Sequence, residues 1–245
     1  MSKTSWLAWA VAGVIAWTTS AGAGPPYLSD DAEPTDDGHF EIYLFGNGTT
    51  THDDAGGQTG IDFNYGAAPD LQLTATLPAD YEYPTGGHLA SGLGNVEFAA
   101  KYRFLHQESF GWDVAIFPRV FLPSGSSLGE HHASFLLPIW LEKDWDQWST
   151  FGGGGCTVDR GQDSRDFCLA GWALTRRILP ALQIGAELFH QTADTKDGRA
   201  STIFGVGATY DLNQYAHLMG YVGAGLQNAA ATGSATWYAS VLFTF

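Results

Sequence analysis

The sequence predicts an all-β protein: a 12-stranded antiparallel transmembrane β-barrel, with both termini periplasmic and a cleaved N-terminal signal peptide. Three observations predict it. Period-two segments about ten residues long recur along the chain, separated by turn-like residues. The charged residues of these segments fall opposite their aliphatic residues. The final segment, 235–245, is an amphipathic strand that stops on an aromatic residue, Phe245. Composition agrees, with 31 glycines in 245 residues, 14% aromatic and only 15% charged residues.

Residues 1–23 read as a secretory signal. Lys3 gives a positive start, an apolar run follows from Trp6 to Trp17, and Ala21-Gly22-Ala23 forms a small-residue cleavage site. The run is too short to anchor the chain as a helix. Lys3 is its one charged residue, so cleavage moves the formal charge from −15 to −16. A chain this acidic has no basic stripe to displace counterions from phosphate, which excludes nucleic acid as a partner.

Residues 24–38 are rich in proline and acids, and the sequence predicts an irregular periplasmic leader. One reading is a plug in the lumen that pairs Asp30, Asp31 or Asp36 with Lys101, Arg103 or Arg119. The other is a solvated leader that keeps the chain soluble before insertion.

The barrel is expected over 39–245. Its strands are predicted at 39–48, 58–67, 70–80, 94–105, 111–123, 134–144, 147–157, 166–177, 181–192, 200–211, 215–227 and 235–245. The fourth is the clearest: Val96, Phe98, Ala100, Tyr102 and Phe104 oppose Glu97, Ala99, Lys101 and Arg103. The seventh is the weakest, because Gly152 to Gly155 carry no side chains. Twelve is an even number, as bacterial single-chain barrels require. Connections alternate between short, as at 68–70 and 144–146, and longer, as at 48–57 and 79–93. Short turns belong to the periplasmic side. The final strand should pair with the first.

Glu41, Glu97, Lys101, Arg103, Asp113, Arg119, Glu142 and Glu187 occupy the non-aliphatic face and are the predicted lumen-lining residues. The pattern alone also fits an inverted, lipocalin-like barrel with an aliphatic interior. Phe245, the bulk of the aliphatic face and aromatics at strand ends (Phe40, Tyr65, Tyr102, Phe104, Trp112, Trp148, Tyr210) favour lipid outside. Twelve strands give a backbone radius of roughly 12 Å, between filled eight-stranded barrels and open porins. Opposed charges in so narrow a lumen either screen solutes by charge and size or brace a closed barrel.

Cys156 and Cys168 flank a hairpin loop at nearly equal distance from its tip. An exported chain should join them as a disulfide, since two cysteines without CxxC spacing make at best half a metal site. Glu130-His131-His132 and the set His190, Asp194 and Asp197 read as solvated loop residues rather than metal ligands. No Ser/His pattern of an outer-membrane phospholipase is present beyond the distant pair Ser201 and His190, so no enzyme and no cofactor are expected.

The leader running into Gly38-His-Phe-Glu-Ile-Tyr-Leu-Phe45, with twelve strands behind it, resembles the bacterial family labelled transporter or phenol-degradation meta-pathway protein. The fold group is similar to the functional-amyloid export pore of the Fap system, a twelve-strand outer-membrane barrel. That pore carries a long N-terminal helical region, whereas about 15 residues stand here between the signal and the first strand. The resemblance therefore implies small-solute uptake more than amyloid export. Phe245 is similar to the terminal signal that outer-membrane barrels show to their assembly machinery.

The reading is thus a bacterial outer-membrane channel for passive uptake of small aromatic or hydrophobic solutes. Its partners would be outer-membrane lipid and lipopolysaccharide, the barrel-assembly machinery and the solute. The alternatives are a structural or adhesive barrel with a blocked lumen and, behind it, a secretion pore.

Overall fold

The computed structural model describes residues 26–84, 86–126, 128 and 132–245. The predicted signal at 1–23, Gly24 and Pro25 of the leader, and Glu130 and His131 lie outside the described residues. Fourteen strand segments form one closed antiparallel sheet. They are β1 (Phe40–Thr50), β2 (Asp54–Ala68), β3 (Leu71–Pro84), β4 (Ala90–Leu93), β5 (Val96–Leu105), β6 (Asp113–Ile116), β7 (Arg119–Leu122), β8 (Ser134–Trp145), β9 (Trp148–Asp159), β10 (Phe167–Leu179), β11 (Leu182–Gln191), β12 (Ser201–Asn213), β13 (Ala216–Gln227) and β14 (Ala235–Thr244).

Four of these segments are the halves of two broken strands. Both β4 and β5 pair with β3, and only Gly94 and Asn95 interrupt them. Both β6 and β7 pair with β5 and β8, interrupted by Phe117 and Pro118. The barrel therefore has twelve strands. The predicted continuous strand 111–123 is broken because Pro118 has no N–H to give to the ladder; its carbonyl still accepts from Ala100 N–H at 3.1 Å.

Closure runs through β1 and β14, from Glu41↔Thr244 to Thr50↔Ala235. Phe40 and Phe245 exchange backbone hydrogen bonds at 3.1 and 3.0 Å. The rim carrying these residues also carries the short turns at 69–70, 146–147, 180–181 and 214–215, and the four-residue helix α1 (Gln107–Phe110). The seven strand-end aromatics singled out in the sequence all lie toward this same rim. Phe40 and Tyr65 stack there at 4.7 Å.

Two expected long connections are mostly sheet. β1 and β2 continue to Thr50↔Ala55, so the predicted loop 48–57 shrinks to 51–53. β3 extends to Pro84, opposite Asp54, and β4 occupies part of the predicted loop 79–93. Among the glycines there, Gly48 serves close packing. A Cβ on Gly48 would lie 2.7 Å from the Trp237 indole nitrogen.

Burial settles which face meets lipid. Leu44, Ile61, Leu73, Leu137, Ile139, Leu188 and Val222 are 43–59% exposed, while Glu97, Lys101, Glu142 and Glu187 are at most 8% exposed. A water-soluble domain buries the first set and exposes the second; the reversed order is that of a membrane barrel and excludes the inverted arrangement. The Cys156–Cys168 disulfide is present, across a directly paired position of β9 and β10 with Cα atoms 4.0 Å apart.

Candidate functional site

Period two sends every second side chain of each strand into the lumen. Ionic partners there sit on neighbouring strands. On β5, Glu97 receives both Arg119 donors, Nε to Oε1 at 2.6 Å and Nη2 to Oε2 at 2.9 Å. Phe117, buried in the break between β6 and β7, lies under both Lys101 and Arg119 at 5.1 and 5.2 Å. Arg103 reaches Asp70 at 2.9 Å, Asp113 at 3.7 Å and Glu33 at 3.9 Å. His106 joins Asp70 at 2.9 Å, completing a cluster at the short-turn rim.

The leader runs inside this lumen. At the rim, Asp37 bridges to Gly66 of β2. Thr35 then gives its N–H and hydroxyl to Gln72 Oε1 at 2.8 and 3.1 Å. Lys101 Nζ binds Asp30 and Asp31, both at 2.9 Å, and the Glu33 carbonyl at 3.2 Å. Ala32 N–H donates to Glu142 at 3.2 Å. Ser29 and Leu28 N–H donate to the two oxygens of Glu187 at 2.6 and 3.1 Å. Finally the Tyr27 hydroxyl donates to the Gly207 carbonyl at 3.1 Å. Residues 27–37 thus cross from the β2–β3 wall to the β11–β12 wall. Burial, and then Asp31, push the Glu33 carboxyl up to about 8.

A polar cavity of about 230 Å³ remains beside the leader, lined by Asp30, Glu41, Tyr43, Asp62, Asn64 and Tyr238 among others. Glu41 borders it, with the Tyr43 hydroxyl 3.4 Å away.

The eight predicted lining residues sit on β1, β5, β6, β7, β8 and β11. Lys101 meets two of the leader acids named from sequence. Arg103 meets Glu33, which was not named, and Arg119 meets Glu97 on its own wall. Glu142 and Glu187 act through the leader's backbone N–H groups, a role that no side-chain pattern announces. Sequence reasoning also missed Gln72, Asp70 and Tyr27. The signal available for Tyr27 was a lone aromatic residue in an otherwise acidic, proline-rich stretch. His190 bonds Thr202 at 2.9 Å, and Asp194 bonds Gln191 at 3.1 Å. His132 is paired with Asp159. Among the described residues no group of three metal-ligating side chains forms.

Residues 71–243, more than two thirds of the chain, match the family described as "Putative MetA-pathway of phenol degradation". The chain belongs to this family. The match leaves out the leader and the first two strands. Among solved structures, the COG4313 outer membrane channel from Pseudomonas putida F1 superposes with a TM-score of 0.70 at 16% identity, covering 88% of this chain and 98% of that one. The NanC porin superposes at 0.57 and 12% identity, covering 82% and 98%. The KdgM porin, solved with disordered oligogalacturonate, superposes at 0.55 and 12% identity, covering 83% and 99%. These likenesses show the fold of the phenol-degradation family member as that of outer-membrane channels. No curated protein matches the sequence significantly.

Proposed function

We propose that the protein is a passive outer-membrane channel for small aromatic or hydrophobic solutes, and that residues 24–38 form its plug. The observation that carries the reading is the leader threaded through a charge-lined lumen, with its acids on Lys101 and its backbone on Glu142 and Glu187. A permanent brace would not need a separate segment in the bore. The family description supports aromatic solutes, and the narrow bore supports small ones. Glu41, Glu97, Lys101, Arg103, Asp113, Arg119, Glu142 and Glu187 would screen what passes. The rim with the short turns and both barrel ends faces the periplasm. The remaining partners are outer-membrane lipid, lipopolysaccharide and the assembly machinery, to which Phe245 presents itself.

The filled lumen also favours a second reading, a structural barrel that never opens. Liposome swelling with graded solutes and planar-bilayer conductance separate the two. Deleting 24–38 should raise or steady the current. Folded protein that shows neither swelling nor conductance, with or without the leader, is the structural barrel.

A further inference from the structure

Contacts to Glu187, Glu142, Lys101 and Gln72 account for the leader from Leu28 to Thr35 and leave Tyr27 unexplained. Its ring lies 5.7 Å from Phe151, tilted by 58°, and 5.7 Å from Tyr221, edge-on at 78°. Both neighbours are 3% exposed lumen residues. The floor beneath the ring is made by Gly185 and Gly207, paired in register on β11 and β12. A Cβ on Gly185 would stand 2.5 Å from the Tyr27 hydroxyl, and one on Gly207 would stand 2.9 Å from its ring. This position therefore fits a flat ring lying on bare backbone. The hydroxyl has its acceptor in the Gly207 carbonyl.

We propose that the cleft formed by Phe151, Gly185, Gly207 and Tyr221 is a binding site for neutral monophenols, which Tyr27 occupies in cis until a free phenol displaces it. Each part of a phenol has a counterpart on the wall. Two aromatic side chains face the ring at distances and angles such pairs prefer. The glycine floor sets its thickness, and a carbonyl oxygen takes the O–H. A site built to accept that proton discriminates against an analogue without it, because its acceptor is left unpaired. Glu187, fully buried beside the cleft, repels anions. The Gly207 carbonyl has only acceptor capacity to offer the hydroxyl, so the cleft takes the un-ionised form. The passage of a displaced phenol onward rests on the channel reading, whereas its binding in the cleft does not depend on transport.

The test uses 4-fluorophenol, followed by fluorine NMR with the full-length protein in detergent. Tyr27→Ala vacates the cleft, and the barrel's folding is checked by its heat-modifiable band. 4-Fluorophenol should bind this variant saturably and be displaced by p-cresol, but not by fluorobenzene or benzoate. Wild type should bind roughly tenfold more weakly or worse, because a tethered tyrosine competes at millimolar effective concentration. Adding Gly207→Val, or Gly185→Ala if the first does not fold, should abolish the binding. The inference is overturned if Tyr27→Ala shows no saturable binding, or if the floor variants bind equally well. Swelling assays on the same preparations test the channel reading separately, so the failure of one is distinguishable from that of the other.

Discussion

Replacing Lys101 with methionine should release the leader from the barrel. Methionine keeps the bulk of the stem over Phe117 and removes the ammonium that sits 2.9 Å from both Asp30 and Asp31. Lys101 and Asp31 side chains are 4% and 7% exposed, so two carboxylates are left with little water to solvate them. Breaking a buried pair by removing one partner costs about 3–5 kcal/mol. Asp30 is 25% exposed, which argues for the lower end. At ~3 kcal/mol the undocked population rises roughly 150-fold. Ser29→Cys provides the reporter: Ser29 is 1% exposed and its hydroxyl makes no hydrogen bond, so the change sacrifices none. The chain's two native cysteines are joined to each other, leaving one reactive thiol. Maleimide labelling then tracks the undocked fraction, because reclosing outpaces modification. Labelling at the same rate in Ser29→Cys with and without Lys101→Met, both heat-modifiable, refutes the electrostatic account of the plug.

Three further outcomes are expected from the same contacts. Glu97→Ala strands the Arg119 guanidinium, so the folded band on unheated gels should disappear at a lower temperature, by the equivalent of about 3 kcal/mol; Glu97→Gln should cost less. Replacing both Cys156 and Cys168 by serine should also lower that temperature, by about 3 kcal/mol in the chain-entropy model for so short a loop, with no change in swelling rates. The third concerns acid. Burial raises the Asp70 carboxyl, but hydrogen bonds from His106 and Arg103 outweigh it and hold the group below its usual 3.8. A value depressed in the folded state means the stabilisation is complete above 3.8 and is lost as pH falls below it. Asp70→Asn tolerates the left-handed turn at φ 62° and removes the charge, so acid titration of the rim, followed by tryptophan fluorescence, should lose its step below pH 4.

The wall was legible because lipid imposes a strict rule on it. Every second residue from Val96 to Phe104 must be apolar, and a period of two survives in a single sequence. Strand pairing followed from turn spacing, and Cys156 and Cys168 followed from symmetry about a hairpin. The lumen obeys no such rule. Glu142 and Glu187 look like ordinary inward charges, and only the path of the leader reveals that they hold backbone N–H groups. Gly185 and Gly207 carry no side chain for a period-two pattern to read, yet they leave room for Tyr27. Glycine in a strand carries two opposite meanings, a turn or a close approach, and sequence alone does not choose between them. The loop predicted at 48–57 shrank for that reason.

A plug must be held firmly enough to close the bore and loosely enough for a solute to move it. A ligand shifts such an equilibrium only by its differential affinity for the two states. The bound leader divides the work between two walls. Asp30 and Asp31 hold it to Lys101 through buried ion pairs that a neutral phenol cannot challenge. Tyr27 lies four residues from Asp31, on the opposite wall, held by one neutral hydrogen bond and two aromatic contacts. A neutral hydrogen bond contributes about 1 kcal/mol and each aromatic pair roughly 0.5–1.5 kcal/mol beyond burial, within reach of a solute at millimolar concentration. Solute entry would therefore lift Tyr27 first, then the Leu28 and Ser29 N–H groups from Glu187, and leave the ionic end docked. Double-mutant cycles check this: Tyr27→Ala and Lys101→Met should each raise labelling in the Ser29→Cys assay, and together by less than the product of the two, because the Tyr27 end then opens without the ionic end. Fully additive free energies would mean that the leader releases as one rigid unit.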